Sequence, residues 1–367
     1  MTTPTHTDGA RLDFAGAMTY GDYLHLDEVL GDLHEEFLQM SETRGAIRAR
    51  WWYAGEALRI PCRLAVFGRV ERAELRGLLQ QLAHQVHRDL AGRRERLRPG
   101  LGAEPVLRHP PLARDGLLFT RAYATGTRTV RGLEALTASL PPIPSESIVK
   151  RAGNEGIATW GKVMNQLGYQ SSFLYGGYGA FDNMNHYFGS NGFAILDRSQ
   201  LPPAQFANIW GVSDDDLLRG AVDYFDQRAS DGRPFFSVIM STSNHKPYTF
   251  PEGVDGVPAR GGGRKAGIRY ADHAIGEFIR AAQTRPWFKD TLFVIVADHD
   301  ARVYGRADIP LNTYEIPLLM YAPAHIKAGR VDTPTSQIDV APTVLGLLGQ
   351  AYEAPFFGQD VLAWPKD

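Results

Sequence analysis

The stretch TLFVIVADHD, Thr291–Asp300, joins an almost wholly apolar run to three polar residues whose side chains can bind metals or transfer protons. A second run of this kind is FFSVIM, Phe235–Met240, which is followed by the polar segment STSNHKPY, Ser241–Tyr248. Short apolar runs are typical of strands that are covered on both faces, as in a parallel sheet between helices. The two runs therefore predict central strands of such a sheet, each with polar residues at its carboxyl end.

The chain from about residue 112 alternates between strand-like and helix-like segments. Three further strands are predicted at GLLFTRAY, SSFLYG and IPLLMYAP, which are residues 116–123, 171–176 and 316–323. Helices are predicted at Asn154–Leu167, Asp214–Ala229, Tyr270–Thr284 and Ile338–Leu348, and a flexible loop tip at Arg260–Lys265. This order predicts the α/β class, with an α/β/α sandwich around a mostly parallel central sheet over residues 112–367.

The composition of the chain excludes several classes of function. The chain has 367 residues with 44% hydrophobic and 22% charged residues, which is typical of globular proteins. A formal net charge of −2 argues against a nucleic-acid partner bound by overall positive charge. The single cysteine, Cys62, excludes an intrachain disulfide framework and a cysteine-based zinc cluster. The sequence contains neither an apolar run of spanning length nor the apolar run of a secretory signal, so neither is predicted in this chain.

The N-terminal third has a different character. Residues 1–98 are predicted to form a helical region, with helices around residues 26–40, 46–58 and 73–90, and residues 99–111 to form a linker. Residues 44–98 hold 13 arginines against 5 acidic residues. This excess could bind an acidic partner or a membrane protein, and a solvated helix face is the alternative interpretation.

Three residues at the two predicted strand ends are candidates for chemistry. Asp298 and His299 can offer a carboxylate oxygen and an imidazole nitrogen to a divalent ion, because ligands of open α/β sheets gather at strand carboxyl ends. An aspartate that caps the next turn beside an uninvolved histidine is the alternative. His245 could bind a phosphate or protonate a leaving oxygen, and the alternative is an exposed loop histidine.

The segment ATGTRTVRG, Ala124–Gly132, lies between a predicted strand and a helix-like stretch. Thr125, Thr127 and Thr129 are each candidates for the helix N-cap, and a hydroxyl at this place also lies where anions are favoured. The segment Phe173–Phe193 is dense in aromatic residues, glycine and asparagine. It suits a loop that lines a sugar-like or glycerol-like pocket, or an ordered surface loop.

Several long motifs, in order, resemble the catalytic domain of the lipoteichoic-acid-synthase type of sulfatase-like phosphotransferases, in the alkaline phosphatase superfamily. The resemblance covers about residues 113–364. It is carried by ARDGLLFTRAYATGTRTVRGLEALTASLPP, SIVKR, FLYGGYGAFDNMNHYF, FFSVIMSTSNHKPY, VIVADHD and SQIDVAPTVLGLLG.

The resemblance implies a metal-bound threonine nucleophile, a phosphothreonine intermediate and a divalent metal, most often Mn²⁺. Carried over by motif, Thr129 is the nucleophile and a metal ligand, and Asp298 and His299 are metal ligands. His245 is expected to contact the phosphate or glycerol group, with Trp210 in the pocket. Sulfatases of the superfamily use a C/S-x-P-x-R motif. Residues 127–131 keep only its arginine, Arg131, a candidate for substrate binding, so sulfate ester hydrolysis is less expected.

The family also uses a glutamate ligand at the end of its first strand, and no such strand-and-glutamate stretch precedes residue 112. The resemblance therefore implies a sheet without its first strand and a phosphoglycerol transferase or phosphodiester hydrolase with impaired activity. The alternative is a non-catalytic composite or truncated protein that works through its arginine-rich helices.

Two weaker resemblances concern the N-terminal region. Residues 12–30 resemble the start of tryptophan 2,3-dioxygenase, but no haem-pocket motif follows, so no haem is expected. Residues 31–61 resemble a helical prefix of bacterial permeases. The family resemblance implies a phosphoglycerol substrate on a phospholipid or glycan, and an exposure to the periplasm or cell exterior.

Overall fold

The computed structural model describes residues 110–300 and 311–363. The predicted helical region 1–98 and nearly all of the predicted linker lie outside the described residues. In the described part of the chain, no helix is both long and apolar enough to cross a lipid bilayer.

Strands and helices alternate along the chain. The strands are β1 Leu117–Tyr123, β2 Gln170–Tyr175, β3 Ala194–Leu196, β4 Phe235–Met240, β5 Phe293–Val296, β6 Glu315–Tyr321, β7 Gly329–Val331 and β8 Thr335–Ser336. The α-helices are α1 Pro110–Asp115, α2 Thr129–Ala138, α3 Trp160–Gln166, α4 Met184–Ser190, α5 Asp214–Ser230, α6 Gly263–Gln283 and α7 Val340–Leu347. All five predicted strands are confirmed as β1, β2, β4, β5 and β6.

The strands form two sheets among the described residues. One has the order β5-β6-β1-β7, with β8 also beside β1, and the other has the order β3-β2-β4. The β3-β2-β4 pairs are parallel, as are the pairs of β1 with β7 and β8. Strand β6 is the exception, because it runs antiparallel to both β1 and β5. The α/β class is confirmed, and most strand pairs are parallel as predicted: the β3-β2-β4 sheet is wholly parallel, and the sheet that contains β6 is mixed.

Helices cover both faces, which side-chain alternation along the strands shows. Successive residues of a strand point to opposite faces. In β6, Leu318 and Met320 pack with helices α3 and α7, whereas Leu319 and Tyr321 pack with α5 and α6. In β2, Leu174 joins the α5 and α6 side. Its neighbours in β2 pack with α2 and α4 on the opposite face. The architecture is therefore the predicted α/β/α sandwich.

Strands β4 and β5 were expected to be central, yet each is the edge of its own sheet within the described residues. Both are nevertheless covered on two faces. Phe236 of β4 packs into the same cluster as Val294 of β5, and Ile239 of β4 shares the opposite cluster with Ile295 of β5. The apolar pattern reports this two-sided packing and carries no information on hydrogen-bonded neighbours, which is why the prediction of central strands was wrong for the described sheets.

Two helices begin at other residues than predicted. Helix α3 begins only at Trp160, six residues after the predicted start at Asn154. The Asn154 side chain instead donates to the carbonyl of Val149 at 2.7 Å, and Gly156 adopts a φ of +76°. Helix α6 begins at Gly263, so the second half of the predicted loop tip at Arg260–Lys265 is helical.

Candidate active site

Helix α2 places its first turn at the carboxyl end of β1. Arg128 occupies the N-cap position in an extended conformation, and Thr129 is the first helical residue. None of the three candidate threonines is therefore the N-cap, and their interpretation as capping residues is wrong. Thr129 lies instead at the positive end of the helix dipole, where backbone N–H groups and the dipole favour an anion.

The first turn of α2 lies directly against the residue that follows β5. Gly132 has no side chain, and a Cβ built there would lie 2.3 Å from the backbone oxygen of Asp298. Only glycine allows this approach. The contact brings the Thr129 turn and the Asp298–His299 pair to one end of the sheet.

Asp298 and His299 form a pair of donor atoms suited to a cation. The Nδ1 atom of His299 lies 2.8 Å from the carbonyl oxygen of Asp300, which can only accept, so Nδ1 carries the hydrogen. The Nε2 atom then presents its lone pair, and it lies 3.6 Å from Oδ2 of Asp298. A carboxylate oxygen and an imidazole nitrogen at this distance are donor atoms that one cation can bind together. Oδ1 of Asp298 also accepts from the backbone N–H of His299 at 2.9 Å, as a capping aspartate would, so a metal-binding role for the pair stays a prediction.

His245 follows β4 and faces the same region. Its ring stacks on Trp210 with ring centroids 4.3 Å apart, and the Trp210 indole donates to the carbonyl of Lys246. Burial lowers the pKa of His245, although the negative charge of Asp298 opposes the shift. Because His245 is partly buried and stacked, the alternative of an exposed loop histidine is wrong. The structure thus places Trp210, His245, Asp298 and His299 around one site.

Arg131 has a structural partner. Its guanidinium pairs with Glu134 at 2.7 Å and also donates to the carbonyl of Ser145. Glu134 is buried and accepts hydrogen bonds from Ser147 and from the backbone N–H of Ile148. These bonds connect α2 to the segment that follows it. A role for Arg131 in substrate binding stays a prediction.

The aromatic segment Phe173–Phe193 is only in part a loop. It contains the end of β2, a 3₁₀ turn at Phe181–Asn183 and helix α4, and its Tyr187 is fully buried. Its exposed part carries Tyr178, beside which Phe181 meets the edge of the Trp210 ring at 6.3 Å between centroids. The first half of the segment therefore borders the candidate site, and the second half is core.

Sequence reasoning missed two polar residues that hold the site together. Buried Asp214 accepts from the backbone N–H groups of Thr242 and Ser243, which fixes the segment between β4 and His245. Buried Gln337 bonds to Ala297, Asp298 and Thr125. In the sequence, Asp214 is only the first residue of the predicted helix Asp214–Ala229, and Gln337, within SQIDVAPTVLGLLG, is neither titratable nor a usual metal ligand.

The donor set fits a divalent metal in part. An oxygen and a nitrogen donor from Asp298 and His299 are of the kinds that such ions bind. The Thr129 hydroxyl is the third donor that the family resemblance implies. Across residues 110–300 and 311–363, no cluster of three or more histidine, cysteine, aspartate or glutamate side chains is arranged to hold a metal.

Comparisons with known proteins identify the family of this chain. The family model described as "Sulfatase" matches residues 103–350. Phosphoglycerol transferase I of Xanthomonas axonopodis is 26% identical over 215 residues, which cover 55% of this chain and 30% of the relative. Lipoteichoic acid synthase of Staphylococcus saprophyticus is 25% identical over 233 residues, covering 58% of this chain and 35% of the relative. The chain thus spans about a third of the length of these relatives.

Solved structures show the same fold. A protein of the alkaline phosphatase superfamily from Vibrio parahaemolyticus is 37% identical with a TM-score of 0.68, and the match covers 73% of this chain and 65% of the other. A lipoteichoic acid synthase from Listeria monocytogenes is 20% identical with a TM-score of 0.63, covering 70% and 69%. Since the family model matches more than half of the chain and the fold agrees, this chain belongs to the sulfatase family, within the alkaline phosphatase superfamily.

Proposed function

We propose that the domain is a metal-dependent phosphotransferase that moves a phosphoglycerol group, or hydrolyses a phosphodiester, through a covalent intermediate on Thr129. The observation that carries the proposal is the contact of Gly132 with the backbone of Asp298. This contact supports the proposal because Thr129, three residues before Gly132, starts the helix that packs against the segment of Asp298 and His299. Similarity to phosphoglycerol transferases and a lipoteichoic acid synthase supports the substrate class, a phosphoglycerol group carried by a phospholipid or glycan.

The proposed reaction takes place at the start of helix α2. The phosphoryl oxygens of the substrate lie at the N-terminus of α2, where the dipole and backbone N–H groups stabilise their charge. The Thr129 oxygen attacks phosphorus as the bond to the leaving oxygen breaks, which leaves the phosphoglycerol group on Thr129 and the donor as a free alcohol. An acceptor hydroxyl or water then attacks the same phosphorus and releases Thr129.

His245 supports the phosphoryl group from the segment that follows β4. Its lowered pKa keeps the ring neutral near pH 7, so one ring N–H can donate to a phosphoryl oxygen and the other nitrogen can accept a proton from the acceptor. A divalent cation, Mn²⁺ by the family resemblance, held by Asp298, His299 and Thr129, would lower the pKa of the Thr129 hydroxyl and screen the phosphate charge.

We expect turnover to be weak. The family's glutamate ligand is not assigned in this sequence, and loss of groups that support a metal costs about 10–100-fold in affinity or activity. A binding role for residues 44–98 lies outside the described residues and gains no support from the relatives.

Calorimetry with Mn²⁺ on the full chain tests the proposal. The wild type is expected to bind Mn²⁺ with one site, and Asp298→Ala to lose that binding. Asp255→Ala, which removes an exposed aspartate elsewhere, is the matched control and is expected to bind as the wild type does. Mn²⁺-dependent cleavage of phosphatidylglycerol, lost in Thr129→Ala, would support the activity. A wild type that neither binds Mn²⁺ nor cleaves the lipid would contradict it.

A further inference from the structure

We propose that Gln337 is a positioning residue that sets the distance between the nucleophile turn and the Asp298–His299 pair. The inference rests on the proposed function and names a residue that this function does not use directly. In the described part of the chain, the side-chain hydrogen bonds of Gln337 are made to the backbone of Ala297, Asp298 and Thr125 and to the Thr125 hydroxyl. It acts through the backbone on both sides.

The side-chain amide of Gln337 connects two segments that are far apart in sequence. Its Nε2 atom donates to the carbonyl oxygens of Ala297 at 2.9 Å and of Asp298 at 2.7 Å. Its Oε1 atom accepts from the backbone N–H of Thr125 at 3.0 Å, and the Thr125 hydroxyl lies 3.3 Å from the same oxygen. One buried side chain thus holds the end of β5 and the start of the loop that leads to Thr129.

Glutamine matches this position because of its hydrogen-bonding groups. Two backbone carbonyls need two donors, and the Thr125 N–H needs one acceptor, which a neutral amide supplies together. The residue is 1% exposed, so water cannot replace a lost partner. A carboxylate of the same shape would place an oxygen against the two carbonyl oxygens, and an ionised carboxylate has no hydrogen to donate to them.

The backbone around Gln337 is itself fixed. The Asp339 side chain accepts from the N–H of Ser336 at 2.8 Å and from the N–H of Gln359 at 2.9 Å. The Ser139 hydroxyl, just beyond the end of α2, donates to the carbonyl of Ile338 at 2.6 Å. The segment Ser336–Asp339 therefore contacts the loop before α2 and the residue after it, and Gln337 adds the end of β5 to this arrangement.

The contact at Gly132 and the bonds of Gln337 constrain the same pair of elements. Gly132 sets how closely α2 approaches Asp298, since a Cβ there would lie 2.3 Å from the Asp298 oxygen. That same oxygen accepts from Gln337. The contact at Gly132 thus limits how closely α2 can approach the end of β5, and the hydrogen bonds of Gln337 resist their separation.

Gln337→Met and Gln337→Glu, each made in the full chain, test the inference. The matched control is Gln170→Met, which removes an amide at the start of β2, where its oxygen accepts from Arg228 and Arg233. Three quantities are measured for each protein: hydrogen exchange of the Thr125 amide without metal, the Mn²⁺ dissociation constant, and kcat and KM for phosphatidylglycerol.

Both Gln337 variants are expected to lose protection of the Thr125 amide. Their Mn²⁺ affinity and kcat should each fall about 10–100-fold, the usual range for groups that orient metal ligands, while KM stays near the wild-type value. The control should change none of the three. Unchanged Thr125 exchange and unchanged Mn²⁺ affinity in both folded variants would overturn the inference.

The design separates this inference from the proposed function. A wild type that does not cleave the lipid would contradict the function alone, because exchange and Mn²⁺ binding still report on Gln337. If Gln337→Met does not fold, the isosteric Gln337→Glu provides the same three measurements. A lower kcat in a variant whose Thr125 amide exchanges as slowly as in the wild type would also overturn the positioning role.

Discussion

Replacing Gly132 by alanine tests the contact that brings the site together. The new Cβ would lie 2.3 Å from the backbone oxygen of Asp298 and 2.9 Å from its carbonyl carbon. An ordinary carbon–oxygen contact is about 3.3 Å or longer, so α2 and the end of β5 must separate by about 1 Å. A displacement of about 1 Å at a reacting group can cost about 100-fold in rate. We therefore expect kcat to fall about 100-fold.

The effect on stability should be small by comparison. Overpacking costs about 1–3 kcal/mol, and the higher helix propensity of alanine returns about 1 kcal/mol. Gly189→Ala is the matched control, because Gly189 is an exposed position in α4 whose added Cβ meets its nearest neighbour at an ordinary 3.7 Å. Kinetics with phosphatidylglycerol and urea unfolding are measured for both. Wild-type kcat in a stably folded Gly132→Ala would refute the reasoning.

Three further changes follow from side chains around the site and core. Trp210→Ala removes the ring stacked on His245, so substrate affinity should fall with KM rising more than kcat falls, whereas Trp210→Phe should keep most of the affinity; steady-state kinetics compare them. Phe173→Ala removes a fully buried ring stacked on Phe188 at 3.8 Å, and should lower the free energy of unfolding by about 3–5 kcal/mol in urea titrations. Burial raises the pKa of Asp214 above its ordinary 3.8. Between the unfolded-state pKa and this higher native-state pKa, the native state binds more protons than the unfolded state. The free energy of unfolding should therefore fall as pH rises from 3.8 through this range. Asp214→Asn should flatten this dependence in unfolding measured from acidic to neutral pH, and an unchanged slope would contradict the assignment.

The sequence predicts which strands are covered by helices on both faces better than it predicts which strands pair with each other. The runs at β4 and β5 are apolar at every position because helices pack on both faces, and this was visible in the residues. Hydrogen-bond partners leave no such pattern, so the antiparallel direction of β6 was missed. Strands β3, β7 and β8 have only two or three residues, too few for a period to show.

The candidate site was found where titratable or nucleophilic residues follow strands. Asp298, His299 and His245 were identified in this way, and the structure brings them to one end of the sheet. Gln337 and Gly132 were missed as site residues because their contribution is a hydrogen-bonding pattern and an absent side chain. Such contributions exist only once the chain is folded, since their partners lie up to about two hundred residues away in sequence.

The covalent intermediate is the most direct test of the account. The full chain is incubated with Mn²⁺ and phosphatidylglycerol, quenched in acid and mapped by peptide mass spectrometry over Ala124–Gly132, with Thr125→Ser and Thr129→Ala in parallel. The account predicts a phosphoglycerol adduct on Thr129 in the wild type and in Thr125→Ser, and none in Thr129→Ala. An adduct on Thr125 or Thr127, or lipid cleavage that persists in Thr129→Ala, would contradict it.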